Sequence, residues 1–203
     1  LSIRRQRQMC IRDRFRTGGR VPHPPGIRGL SVISVPGSST LHFWRLDAAR
    51  HADSWDSGIG AELCGGRWNS KGVKAVYASA DPATAILEVA VHKGFAALDS
   101  VPHVLTGALI QDPTAIYRVD ENRIPNPNWL VPGIPSAGQQ KFADQLLADH
   151  PFVLVPSSVS RHSWNILINP LLAKGLYQVV IQERFGLDTR LNPPSGTVAS
   201  RPN

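Results

Sequence analysis

The feature that most constrains the fold is a succession of seven short runs rich in β-branched and aromatic residues. Each is closed off by proline, glycine or small polar residues, and only two segments of helical character lie between them. The runs are 41–46, 75–78, 104–110, 115–119, 152–155, 165–168 and 176–183, each with the length and composition of a strand. One helix is predicted over 82–92. Asp81 can accept from its first amides, Pro82 suits the first helical position, and Gly94 follows its end. A second, about 139–149, spaces Phe142, Leu146 and Leu147 along one face. Many short strands with few helices predict an α+β fold around a twisted, mainly antiparallel sheet.

Charge narrows the function classes. The net charge of +7 resides in residues 1–38, which hold eight arginines and one aspartate, leaving 14 basic and 14 acidic residues beyond. A neutral folded part speaks against direct nucleic-acid binding by the domain itself. Residues 1–38 run from Arg-rich to Pro/Gly-rich to Ser-rich without periodicity and are predicted to be a disordered basic tail. It is read either as an arm that touches nucleic acid or acidic partners or as sequence foreign to a protein that starts near Leu41. A Pro/Ser/Gly-rich stretch closes the chain, so one domain is expected over 39–187 with a disordered tail over 188–203. Cys10 and Cys64 are the only cysteines, no run of 18 apolar residues occurs, and a cytoplasmic setting without membrane contact is expected. The seven histidines show no metal-ligand spacing, so no metal site is expected.

Several residues could carry chemistry. Glu88 interrupts the apolar stretch "AILEVAV", where a carboxylate either faces a cleft or sits at the edge of the buried stripe, snorkelling to solvent or paired with an arginine. Residues 58–72, "GIGAELCGGRWNSKG", form a Gly-rich segment in which Arg67 offers a planar fork for phosphate or carboxylate. The competing reading is a loop whose Arg67 and Trp68 serve packing. It matches neither a dinucleotide fingerprint nor a P-loop. Arg45 in "FWRL" leaves the strand face opposite Trp44, and solvent exposure is its plain alternative. Tyr77 offers a ring for stacking or for the core. Ser157 and Ser158 follow a strand end, and Ser157 with His162 invites a hydrolase reading that lacks a G-x-S-x-G elbow.

Four segments in this order resemble the RES domain, named for arginine, glutamate and serine. They are "FWRL" with Arg45, "GGRWNSKGVKAVYAS" with Arg67 and Tyr77, "DPATAILEVAVH" with Glu88, and "VPSSVSRHSWNILINP" with Ser157 and Asn165, spanning about residues 41–186. The resemblance implies a fold related to ADP-ribosyltransferases and a toxin of a bacterial toxin-antitoxin pair that depletes NAD. NAD would be substrate, no cofactor is implied, and the partner would be an Xre-like DNA-binding antitoxin that covers the cleft. By the same resemblance Arg45 and Arg67 would hold the pyrophosphate, and Tyr77 would lie against the nicotinamide or its ribose. Glu88 would serve the reacting ribose, and Ser157 and Asn165 would orient substrate or a neighbouring side chain. Water, inorganic phosphate or a protein side chain could be the acceptor. Two alternatives stand beside this expectation: an ADP-ribosyltransferase with a protein target, and a non-catalytic binding module using the basic arm. The segment 120–139, long and proline-rich, departs from the family pattern and carries no assigned role.

Overall fold

The computed structural model describes residues 41–131, 133 and 135–193. The expected N-terminal tail and residues 194–203 of the expected C-terminal tail lie outside the described residues. All seven β-rich runs are strands: β1 Leu41–Ala48, β2 Val76–Ser79, β3 His103–Ile110, β4 Ile116–Arg118, β5 Phe152–Pro156, β6 Trp164–Ile168 and β7 Tyr177–Phe185. They join in one sheet of order β4-β5-β6-β2-β1-β3-β7. Five pairings are antiparallel and only β4 with β5 is parallel, giving the expected α+β class with a mainly antiparallel sheet.

Side chains alternate across the sheet, and the buried residues sort accordingly. Phe43, Val76, Ala78, Phe152, Leu154, Ile166 and Ile168 pack together on one face with Trp55. On the other face the apolar residues divide between two groups of helices. Val153, Val155 and Leu167 pack against Ala143 and Leu147 of α4 (Ala137–Asp149), while Leu46 and Leu105 pack against Ala90 of α2 (Pro82–Lys93) and Leu98 of α3 (Phe95–Ser100). Phe43 and Phe152 are fully buried, each stabilising the fold by about 2–3 kcal/mol through removal of apolar surface from water.

Both expected helices exist, for the expected reasons. In α2 the Asp81 carboxylate accepts from the Thr84 amide at 2.8 Å, Pro82 occupies the first turn, and Gly94 ends the helix at φ +78°. The α4 helix begins two residues earlier than its apolar spacing suggests, because Ser136 caps it by accepting from the Gln139 amide at 3.4 Å. Two short helices were not expected: α1, Ile59–Cys64, inside the Gly-rich segment, and α3. The α1 helix starts from Gly58 at φ +69°, a left-handed position that favours glycine. A 3-10 turn at Thr189–Leu191, capped by Asp188, continues the regular structure past residue 187.

Candidate functional site

Four elements far apart in the chain meet at one end of β2, β5 and β6. Antiparallel register sets Ser79, the last residue of β2, opposite Asn165 near the start of β6, and Pro156 at the end of β5 opposite Trp164. The chain then turns from β2 through Ala80 and Asp81 into α2, which lays its Thr84–Glu88 row along the 157–163 connection. Residues four apart share a helix face, so Thr84 and Glu88 contact that connection together. Thr84 Oγ1 donates to the Ser163 hydroxyl at 2.8 Å, and one turn on, Ser157 donates to Glu88 Oε1 at 2.9 Å.

Glu88 is half-buried, and its carboxylate is met by polar side chains. Asn165 Nδ2 donates to the same Oε1 at 2.5 Å, and Asn165 Oδ1 in turn accepts from the Ser79 hydroxyl at 2.8 Å. The carboxylate orders the amide: it can only accept, so the nitrogen faces Glu88 and the oxygen faces Ser79. Ser157 is fully buried, and its hydroxyl oxygen also accepts from the Val159 and Ser160 amides. With two amides on that oxygen, the single hydroxyl proton goes to Glu88. Ser157, not Ser158, is therefore the serine that bonds Glu88, and its geometry holds the carboxylate in place.

Arg67 lies within electrostatic reach of Glu88. Burial lowers the guanidinium below its ordinary value, while Glu88 and Tyr77 act to raise it. Its Nη1 donates to the Trp129 carbonyl at 2.5 Å, so the proline-rich segment lies against Arg67. Tyr77 is tied differently. Its hydroxyl donates to Asn69 Oδ1 at 2.7 Å and accepts from the Trp68 amide at 3.0 Å, and burial pushes its ionisation well above the ordinary range. A Cβ at Gly66 would collide with that hydroxyl. The close approach at this glycine is thus to Tyr77, and Trp68 is buried in the core beside it, as the packing alternative for this loop required.

Arg45 stands apart. Strand alternation puts it on the face opposite Trp44, as expected, where Asp47 engages it at two points, Nε at 2.5 Å and Nη2 at 2.8 Å. Its Nη1 donates to the Tyr77 carbonyl at 2.6 Å, so its link to the Glu88 cluster runs through the β2 backbone. The structure therefore joins Glu88, Ser157 and Asn165 by hydrogen bonds, sets Arg67 within electrostatic reach of both Glu88 and Tyr77, and leaves Arg45 paired on its own strand. Ser79, Asn69 and Asp47 were missed from the sequence. A period of two would have found Asp47, two residues beyond Arg45 on one strand face, whereas Ser79 and Asn69 carry no local signal.

The model of the RES domain matches residues 42–191. The chain is 30% identical over 153 residues to a protein named Toxin Res from Photorhabdus laumondii, covering 73% of this chain and 95% of that protein. It is 33% identical over 142 residues to a Prs ADP-ribosylating toxin of a Sphingobium species, covering 64% and 83%. Among solved structures it is similar in fold to a chain of the M. tuberculosis MbcT-MbcA toxin-antitoxin complex. The TM-score is 0.53 at 16% identity, covering 72% of this chain and 84% of that one. With the family model spanning every residue of the Glu88 cluster and both arginines, the chain belongs to the RES-domain family.

Proposed function

We propose that the protein is the toxin of a toxin-antitoxin pair that cleaves the bond between nicotinamide and ribose in NAD, with Glu88 as its central group. The single observation that carries this reading is the form of the Glu88 carboxylate. Both donors that reach it fall on Oε1, and among the described residues no hydrogen bond to Oε2 is present. One oxygen is held in position and the other can accept from a ribose hydroxyl.

As the glycosidic bond lengthens, its electron pair leaves with the nicotinamide nitrogen and positive charge grows on the ribose C1 and ring oxygen. A fixed carboxylate beside that centre stabilises the charge without having to reorganise. Water or inorganic phosphate then bonds C1 and releases its proton, giving ADP-ribose or its 1″-phosphate. Arg67 would hold the diphosphate through charge-assisted bonds, exchanging its carbonyl contacts for phosphate oxygens. Tyr77, its hydroxyl already committed, would offer the edge or face of its ring to the nicotinamide ribose. Arg45, neutralised by Asp47, would contribute through its remaining N–H groups. The names of the relatives and the toxin-antitoxin complex among similar folds support a toxin held in check by an antitoxin; action in the cytoplasm and an antitoxin of the Xre-like DNA-binding kind complete the proposal. No helix among the described residues is long and apolar enough to cross a membrane.

A second reading, transfer of ADP-ribose to a protein, is favoured by the relative named as an ADP-ribosylating toxin. Incubation of the full chain with NAD in phosphate buffer, with and without a bacterial cell extract as the source of protein acceptors, followed by mass identification of products, separates the two. Free nicotinamide with ADP-ribose or its 1″-phosphate is the expected outcome. A mass increment on a protein supports the second reading, and intact NAD after prolonged incubation refutes both.

A further inference from the structure

Arg67 stands on a loop whose main chain is held from two sides. From the inside, Asn69 is fully buried, and its Nδ2 donates to the carbonyls of Ala61 and Val73, each at 2.9 Å, while the Trp68 amide donates to the Tyr77 hydroxyl. From the outside, α4 supplies two side chains. Gln140 Nε2 donates to the Gly66 carbonyl at 2.7 Å and to that of Asn69 at 3.2 Å, and Asp144 Oδ1 accepts from the Ser70 amide at 2.9 Å. Residues four apart leave one face of a helix, so Gln140 and Asp144 reach the loop together. Behind them Ala143 and Leu147 anchor α4 in the core.

The polarity of these bonds is fixed. A main-chain carbonyl only accepts and a main-chain amide only donates, so Gln140 must turn its nitrogen to the loop and Asp144 must meet it with an oxygen. The bonded atoms fall on both sides of Arg67 in the chain, at Gly66 before it and at Asn69 and Ser70 after it. The helix thus sets the place from which the guanidinium projects. Asp144 is also within electrostatic reach of Tyr77, so the same face of α4 backs both residues. Such a clamp acts on binding as well as on stability. A long side chain that must be ordered when it grips an anion loses about two- to tenfold in affinity, a loss that a loop already held in place reduces.

We propose that Gln140 and Asp144 are positioning residues that set Arg67 for its ligand, acting through the main chain of residues 66–70. The inference rests on the reading of Arg67 as the group that holds the diphosphate, and not on cleavage of the nicotinamide bond.

The test uses the full chain and three variants. Gln140→Met removes the donor at similar length, Asp144→Leu removes the acceptor, and Asp144→Asn restores it without the charge. Both positions are half-buried at the helix surface, so none of the three opens the core. Amide hydrogen exchange reads the clamp itself: Ser70 should exchange about tenfold faster in Asp144→Leu and at the parent rate in Asp144→Asn. In nicotinamide release from NAD, Gln140→Met and Asp144→Leu should each raise KM about five- to tenfold with kcat within about twofold, and Asp144→Asn should keep the parent KM. In an Arg67→Ala background the same substitutions should change KM less than about twofold, because the group they position is gone. Parent KM in both variants overturns the proposal and leaves the clamp a purely structural device, and an equal rise in KM without Arg67 overturns it too. If the parent chain leaves NAD intact, the cleavage reading falls and calorimetric titration with ADP decides the clamp. Binding about tenfold weaker in both variants retains it, and binding that is unchanged or absent overturns it.

Discussion

At Glu88, charge and hydrogen bonding can be separated experimentally because both donors land on one oxygen. In Glu88→Gln the amide oxygen can accept from Ser157 and Asn165 as before, so the fold should keep its melting temperature within a degree or two while NAD cleavage falls about a hundredfold or more. Equal loss of melting temperature and activity would mean that Glu88 is a structural group. Ser157→Ala should behave differently. It strands the Val159 and Ser160 amides in a turn whose first residue is fully buried, costing about 1–3 kcal/mol of stability besides loosening Glu88, measurable by denaturant unfolding. The residue types of this cluster were legible in the chain, since a carboxylate amid "AILEVAV" is out of keeping with its neighbours. The bonds were not legible, because Glu88 and Ser157 are 69 residues apart and only the sheet register brings them together. The contacts left unread were those to backbone: Arg67 on the Trp129 carbonyl and Arg45 on that of Tyr77. A main-chain acceptor has no sequence signature.

At the scale of elements, α2 joins stability to function. Asp81 caps it and also accepts from Ser163 at the far end of the 157–163 connection, so one carboxylate fixes both the helix start and the turn that carries Ser157. Burial alone would raise the Asp81 carboxyl, but hydrogen bonds from Ser163 and Thr84 outweigh it and hold it below its ordinary 3.8. A folded-state value below the unfolded one means stability that is complete above about pH 4 and is lost as pH falls through the folded value. Asp81→Ala should therefore cost about 1–2 kcal/mol near neutrality, and its melting temperature should converge on that of the parent below pH 4. A constant gap across that range would assign the effect to something other than the carboxylate. All seven strands could be read from composition because each is a compact β-branched or aromatic run between breakers. The α1 and α3 helices escaped because six residues hold fewer than two turns, too few for an apolar period to declare itself. The glycines of the Gly-rich segment suggested approach to a ligand, whereas Gly66 admits the Tyr77 hydroxyl; Gly66→Ala should destabilise by about 1–3 kcal/mol on thermal or urea unfolding.

At the scale of the whole molecule, the strand order β4-β5-β6-β2-β1-β3-β7 sets β2 beside β6 and β1 beside β3, so the middle of the sheet is built from pairings distant in sequence. Local patterns cannot encode such an order, and the resemblance to the RES domain supplied the fold expectation that periodicity alone could not sharpen. One consequence of this topology is that the site is assembled only in the folded state. Ser79, Glu88, Ser157 and Asn165 come from three strands' ends and a helix, and an unfolded chain offers a dinucleotide none of that geometry. A ligand that binds only the folded form stabilises it by mass action, by about 2.7 kcal/mol at a hundred times its Kd. For a chain of this size that is a rise of roughly 5–10 °C in melting temperature. On the proposed reading the parent protein would consume NAD during the scan, so the measurement belongs in Glu88→Gln, where the proposed binding through Arg67 and Tyr77 would be kept and cleavage slowed. Melting of that variant should rise with NAD and rise much less with nicotinamide alone, since only the dinucleotide reaches Arg67. Equal shifts with both ligands would confine recognition to the nicotinamide end and remove Arg67 from the binding site.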